Sequence, residues 1–412
     1  MSKWNKISIG EFIDFNPSES IKKGTIARKI PMDKLGTFQR KINGSELSEY
    51  SSGPKFRNGD TLVAKITPCL ENGKTALVDI LNDKEVAFGS SEFIVLRENK
   101  NSDKKFIYYL SRSPLFRNKA ISCMEGTSGR KRVNEGALKT QEILVPDLPT
   151  QQKIASVLSA LDDKIELNNS INEELEAMAK TLYDYWFVQF DFPNEEAKPY
   201  KSSGGKMVYN ETLKREIPKG WEVKKLEEIE EKIVTGKTPS TKVSEYFNGN
   251  IPFITIDDIR KQFYVYNAER NLTILGAESQ ANKYVYSGDI CVSCIGTIGI
   301  IGIVATTSQT NQQINTISQI KDYNRYFLLN SLKNYFEYNV GAKKGAVLDN
   351  MNKQEFSNIP ILDANRNLKK LYFDKVNPIY EKIKLNLKQN QELSALRDWL
   401  LPMLMNGQVK VG

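Results

Sequence analysis

Residues 148–193 read LPTQQKIASVLSALDDKIELNNSINEELEAMAKTLYDYWFVQFDFP, and the spacing of their apolar side chains decides the architecture. Ile154, Leu158, Leu161, Ile165, Asn168, Asn172, Leu175, Ala179, Leu182 and Trp186 follow one another in alternating steps of four and three. That is the a/d seam of a heptad, the pattern of a long helix that packs lengthwise on another helix. Pro149 and Thr150 stand at its start and Phe192-Pro193 close it, so a helix is expected over 150–192. Within it, Asp162 and Lys164 are expected to be solvated charges on the helix surface.

A second seam has the same frame. Val376, Ile379, Ile383, Asn386, Asn390, Leu393, Arg397, Leu400 and Leu404 lie in a stretch ended by Asn406-Gly407, so a second helix is expected over 363–407. At ~1.5 Å per residue, a helix of about 40 residues spans ~60 Å. Residues 150–206 carry 6 basic and 10 acidic side chains, and 361–412 carry 9 and 5, so opposite charge favours pairing the two helices with each other. Two Asn pairs interrupt the seams at corresponding places. Each is either a solvated gap in a weak stripe or a register device, in which buried Asn against Asn fixes alignment at some cost in stability. In an antiparallel pair, equivalent central residues such as Asn168 can approach each other.

The seams belong to a repeat of half the chain. KIELN at 164–168 matches KIKLN at 382–386, and Asn172 and Glu174-Leu175 match Asn390 and Glu392-Leu393 at the same offset. Trp4, Ile9 and Phe12 match Trp221, Leu226 and Ile229. FRNGDTLVAKI (56–66) resembles YSGDICVSCI (286–295), and GTSGRKRV (126–133) falls opposite GAKKGAVL (341–348). Agreement of order and spacing makes this an internal repeat. Ahead of each helix lie short β-rich runs broken by Gly, Asn, Asp and Pro. They are LVAKI, TALVDI and FIVL in copy one, and FITI, YVY, ICVSCI and IGIVA in copy two. Helices are expected at about 104–120 and 323–338. The fold class is therefore mixed α/β: two α/β domains, at 1–149 and 221–362, separated by two long antiparallel helices, with an internal pseudo-twofold repeat. Residues 193–220, polar and holding Ser-Ser-Gly-Gly, read as a linker.

The chain has 412 residues and a formal charge of +8. The excess sits mainly in residues 1–149, with 25 basic and 18 acidic side chains, which suits a phosphate-backbone partner. No run of 18 apolar residues occurs and the start has no signal-peptide stretch, so a soluble cytoplasmic protein with no membrane partner is expected. Four cysteines suit a reducing compartment.

Catalytic patterns fail on inspection. The chain has no histidine, which removes the imidazole-based nucleophile systems and His-containing zinc sites. Gly73-Lys74-Thr75 and Gly236-Lys237-Thr238 lack the first glycine of a P-loop, holding Pro68 and Glu231 there instead. Pro146-Asp147 with Asp162-Asp163-Lys164 imitates a nuclease pattern, but two residues along a helix point about 200° apart. Cys291 and Cys294 have no second ligand pair and read as buried strand residues. No catalytic residue and no metal site is assigned.

Reading DNA needs Lys or Arg for phosphates, and Arg, Lys, Asn or Gln for base edges. Copy one offers Thr127, Ser128, Arg130, Lys131 and Arg132, and, in another loop, Lys65, Thr67, Glu71, Asn72 and Lys74. Copy two offers Lys343 and Lys344, with Asn311, Gln312 and Gln313 after the corresponding strands. The copies differ most in these loops and least in the helices, as two readers of different sequences on one frame would.

The stretch 148–193, IPKGWEVKKLEEI (217–229) and LRDWLLPMLMNGQV (396–409) resemble the specificity (S) subunit of type I restriction-modification systems, and the resemblance covers the whole chain. It implies two target-recognition domains, each reading half of a split site in double-stranded DNA. It implies helices that act as spacer and dock two methyltransferase (M) subunits. It implies no cofactor on this chain, with S-adenosylmethionine, ATP and Mg on partner subunits, and separate restriction (R) subunits that translocate and cut. Where the family commonly has Glu-Gln, this chain has Gln151-Gln152, and copy two has Asp363-Ala364-Asn365. Alternatives at the residue level are a stand-alone DNA-binding regulator and a fused DNA methyltransferase or nuclease.

Overall fold

Thr61–Ala64 is buried along its whole length, with Leu62 in one apolar cluster beside Ile30, Phe56 and Val95 and Val63 in another beside Ile9, Phe12 and Ile94. Successive side chains of a strand point to opposite faces, so this strand must lie between two packed layers. The computed structural model, which describes residues 4–127, 129–341 and 350–411, builds the first copy around it. One antiparallel sheet has the order Asp14–Phe15, Phe93–Arg97, Thr61–Ala64, Thr75–Leu77. A second has the order Glu46–Glu49, Ile26–Ile30, Ala87–Gly89, Lys55–Phe56, with Ile26–Ile30 parallel to Ala87–Gly89. Helices Lys104–Arg112 and Pro114–Ser122 cover the first sheet. Asp103 caps the former by accepting from the Phe106 N–H at 2.9 Å, and Pro114 opens the latter, where a missing N–H costs nothing.

The second copy repeats this order strand for strand. Ile233–Thr235, Ile314–Ile317, Ile290–Ser293 and Ile301–Val304 form one sheet, to which Tyr264–Val265 adds an edge. Asn271–Leu272, Phe247–Ile254, Ser308–Thr310 and Tyr284–Val285 form the other, again with the equivalent parallel pair. A single helix, Asp322–Gly341, stands where copy one has two. In each copy a ribbon ties the start of the domain to the start of the following helix: Trp4–Ser8 with Glu142–Pro146, and Glu222–Lys225 with Pro360–Asp363. The class is mixed α/β, as the sequence predicts. Residues 193–220, read from the sequence as the linker between the copies, carry structure of their own. Met207–Asn210 pairs with Arg215–Pro218, and Phe192 stacks on Tyr200 and Trp221 with centroids 4.6 and 5.2 Å apart.

The long helices run Leu148–Tyr183 and Arg366–Met405. The first passes into a π-helical turn, Asp184–Val188, rather than continuing regularly to residue 192. The wider winding lets Trp186 and the adjacent Phe187 both be buried. The chain forms two units, Met1–Ser170 with Lys388–Gly412, and Ile171–Leu387. Each unit contains one α/β domain and a part of each helix, and within each the helices run antiparallel.

In the first unit Ile154 and Leu158 are buried with Leu401 and Leu404, while Leu161, Ile165 and Leu393 are half-buried. Asn168 donates to Asn390 Oδ1 and to Gln389 Oε1, both at 2.8 Å, and Asn390 donates to Asn169 Oδ1 at 2.8 Å. In the second unit Ile383 is buried, Leu175 and Ile379 pack against the same cluster, and Asn386 donates to Asn172 Oδ1 at 2.9 Å. The Asn residues are thus buried and bonded across the seam. Each meets the repeat counterpart of its neighbour rather than its own, because antiparallel pairing offsets the rows.

Asp162 is the clear departure. Lys164 is exposed as expected, but Asp162 is buried, accepting from Tyr109 Oη at 2.7 Å and from Arg397 Nη1 at 2.5 Å. It flanks the seam position Leu161, where the facing helix supplies a seam Arg instead of a Leu. Burial, with the Asp162 carboxylate beside it, pushes the Tyr109 phenol up.

Candidate nucleic-acid interface

Two loops chosen from the sequence of copy one meet in space. Thr67 N donates to the Lys131 carbonyl at 3.0 Å, Val133 N donates to the Lys65 carbonyl at 2.9 Å, and Ile66 bridges Arg132. Residues 65–74 and the hairpin Met124–Glu125/Arg132–Val133 therefore form one surface at the end of the first sheet. Side chains on it divide into two groups. Lys65 pairs with Glu135 at 3.2 Å, Lys74 donates to the Met32 carbonyl at 3.0 Å, and Arg132 grips Glu92 with two nitrogens. Arg132 holds the Glu92 carboxyl below the usual carboxylate range. Lys65 and Lys74 brace the loops while half-buried, and Arg132 does so through its ion pair although its side chain is 51% exposed. Glu71, Asn72, Thr127, Arg130 and Lys131 are exposed, and Arg130 and Lys131 have no side-chain partner among the described residues. Thr67 is half-buried, its hydroxyl 3.4 Å from the Lys131 carbonyl. Ser128 lies outside the described residues.

The loop is supported from beneath by residues that sequence reading did not select. Arg117 donates to the Glu71 carbonyl at 2.7 Å and lies over the Phe38 ring at 4.8 Å. Burial, with Arg112 nearby, lowers its pKa from the ordinary value. Gly73 has φ +72, and a Cβ there would collide with the Phe38 ring, so only glycine fits. Gln151, in the position of the family's Glu-Gln pair, is buried. Its amide donates to the Asn101 and Pro146 carbonyls at 3.0 and 2.9 Å and accepts from Asp103 N at 3.0 Å, fastening the helix start to the domain. The counterpart of Gln151 in copy two is Lys369 and not Asp363-Ala364-Asn365, because the helices begin at Leu148 and Arg366; Lys369 is buried and donates to Asp363 Oδ1 at 2.7 Å. A one-residue polar signal at a helix start gave no hint of this.

In copy two, Asn311, Gln312 and Gln313 lead from the second sheet into Ile314–Ile317, which lies between Ile233–Thr235 and Ile290–Ser293 in the first. They are the structural counterpart of Ser90–Glu92, while 294–300 is the counterpart of 65–74. Cys294 N donates to the Gln313 carbonyl at 2.8 Å and Ile295 bridges Asn350, as Lys65 N donates to the Glu92 carbonyl and Ile66 bridges Arg132 in copy one. Gln312 is exposed and accepts from Thr238 Oγ1 at 2.6 Å. Lys343 and Lys344 lie outside the described residues. Cys291 and Cys294 are buried, and burial pushes their thiols up to about 12 and about 11, which removes thiolate chemistry at neutral pH. No helix among the described residues is long and apolar enough to cross a membrane.

A duplicated α/β domain, each copy feeding a long seam helix and ending its sheet in divergent polar loops, defines a two-reader specificity protein. Comparison with known proteins agrees. The family model described as the type I restriction modification DNA specificity domain matches residues 1–177 and 218–395. The chain is 30% identical to the type I restriction enzyme HindI specificity subunit of Haemophilus influenzae, over 99% of this chain and 100% of that one. It is 29% identical to the MjaIX specificity subunit of Methanocaldococcus jannaschii, over 74% of this chain and 69% of that one. The crystal structure of the type I restriction-modification system S subunit from M. genitalium shares the fold. Its TM-score is 0.58 at 17% identity, covering 98% of this chain and 96% of that one. The chain belongs to the type I restriction-modification DNA specificity family.

Proposed function

We propose that the chain is the DNA-sequence-recognition subunit of a type I restriction-modification complex. Each recognition domain reads one half of a bipartite target in double-stranded DNA. The helices set the spacing between the halves and dock two M subunits, and R subunits join through the complex. The chain itself catalyses nothing and works in the cytoplasm. S-adenosylmethionine, ATP and Mg act on the partner subunits. The observation that carries this reading is a single domain architecture present twice, its loops differing in side-chain chemistry while its scaffold strands keep one order. Docking is supported by apolar side chains on the helix faces turned away from the seam: Leu167, Leu396 and Trp399 in the first unit, 52%, 43% and 57% exposed, and Met178 and Leu385 in the second, 60% and 59%.

Exchange of residues 1–149 for those of a relative tests it. The hybrid, assembled with its methyltransferase partner, should modify DNA at a target changed in one half only. A hybrid that assembles and alters both halves sinks the modular reading.

A further inference from the structure

Asn311 in the second unit has a fixed amide orientation. Its Oδ1 accepts the Gln313 backbone N–H at 3.1 Å, which only an oxygen can do. The nitrogen of the same amide therefore faces Gln313 and donates to its Oε1 at 3.0 Å. That sets the Gln313 amide in turn, oxygen toward Asn311 and nitrogen without a partner among the described residues. Beside it the Gln312 oxygen is occupied by the Thr238 hydroxyl, and its exposed side chain is left with a free –NH₂. Lys237, next in the chain to Thr238, is exposed and its ammonium has no partner among the described residues.

This edge is held from behind. Gly236 N donates to the Ile314 carbonyl and Lys237 N to the Thr310 carbonyl, both at 3.0 Å. A Cβ on Gly236 would strike the Asn311 carbonyl and the Thr310 hydroxyl, so glycine is required for this approach. Two amides, Gln280 at 5% and Gln309 at 0% exposure, lie underneath. Gln280 Nε2 donates to the Lys237 carbonyl and to Gln309 Oε1, both at 2.7 Å, and Gln309 Nε2 donates to the Ala277 carbonyl at 2.9 Å. Gln280 Oε1 is buried without a partner among the described residues, but the donated bonds of the two amides tie down the backbone that carries Lys237 and Thr238.

We propose that Gln312, Gln313 and Lys237 form a donor-only reading edge that selects guanine in the half-site read by the second recognition domain. This rests on the DNA-reading function proposed above. In the major groove guanine presents two adjacent acceptors, N7 and O6, whereas adenine presents an acceptor and a donor and cytosine a donor. An amide that reads adenine uses its oxygen and nitrogen together. Here each amide oxygen already accepts a hydrogen bond within the protein, from Thr238 Oγ1 or Asn311 Nδ2, so the groups left wholly without a partner among the described residues are the N–H donors.

Gln312→Glu and Gln313→Glu keep the inner acceptor and turn the outer –NH₂ into an oxygen of the same shape. Each variant, assembled with its methyltransferase partner, is placed in a host whose modified sites are then mapped by sequencing. The wild-type complex should require guanine at one or more positions of the half unaffected by exchanging residues 1–149. The Glu variants should lower modification of guanine sites relative to other bases by roughly ten-fold or more, the discrimination of one good base contact, with the other half unchanged. Where an added carboxylate abolishes modification altogether, Gln312→Met and Gln313→Met remove the donors without adding charge and should show the same loss of preference. Guanine preference unchanged in all four variants, or a wild-type half-site without guanine, overturns the proposal. A wild-type complex with no split target overturns the DNA-reading function itself.

Discussion

Arg130, Lys131 and Arg132 are adjacent in sequence, yet they are not equivalent. Arg132 is committed to Glu92, whereas the other two are exposed and unpaired among the described residues. Their charges are free to displace counterions from DNA, and each phosphate contact contributes about 0.9 to the slope of log K against log salt. Arg130→Ala/Lys131→Ala in the assembled complex should weaken DNA binding and reduce that slope by about 2, with the melting temperature unchanged. Fluorescence anisotropy across a salt series measures it, and an unaltered slope would show that this hairpin does not touch DNA. Asp162 and Arg397 make the opposite case. Their charges are buried, so they shape the domain–helix junction and are unavailable to a ligand.

Within each unit the helices are held by apolar contact and, near the unit boundary in the sequence, by amides. Asn168 and Asn390 bond each other in the first unit and Asn172 and Asn386 in the second. Buried amides of this kind specify register at a cost in stability. Asn168→Leu alone strands the Asn390 carbonyl and should destabilise by ~1–3 kcal/mol. Asn168→Leu with Asn390→Leu should recover most of that loss, because both polar partners are gone. Urea denaturation of the four members of the cycle decides it. A double variant as unstable as the sum of the singles would show that the amides do not act as a pair.

At the scale of the whole molecule, both helices pass between the units beside these amides, between Ser170 and Ile171 and between Leu387 and Lys388. If the helices set the target spacing, the place to alter it is here. Four residues inserted between Asn168 and Asn172, matched by four between Asn386 and Asn390, lengthen each helix by ~6 Å, nearly two base pairs at ~3.4 Å each. Four residues also advance a helix by about 400°, so the seam keeps nearly its original facing. The assembled variant should modify a target with unchanged halves and a longer spacer, read by mapping modified sites. Modification confined to the original spacer would show that the helices are not the ruler.

The sequence alone determined the parts whose signal is periodic or repeated. Heptad spacing revealed both long helices, half-chain repetition revealed two equivalent domains, and the fold class followed from them, whereas the family came from the resemblance of the stretches 148–193, 217–229 and 396–409. It also placed Asn168, Asn172, Asn386 and Asn390 on the seam, because position on a helix is a matter of counting. Only the tertiary structure decided which polar side chains face inward. Asp162 looks like any helix-surface carboxylate until Tyr109 and Arg397 are brought to it from 53 and 235 residues away. Lys65, Lys74 and Arg132 look as available as Arg130 and Lys131 until Glu135, the Met32 carbonyl and Glu92 are placed beside them. The orientations of Gln312 and Gln313 depend on Thr238 and Asn311. Periodicity is a local property of the chain, whereas the partner of a polar group is chosen by contacts between distant segments, and no spacing rule carries that information.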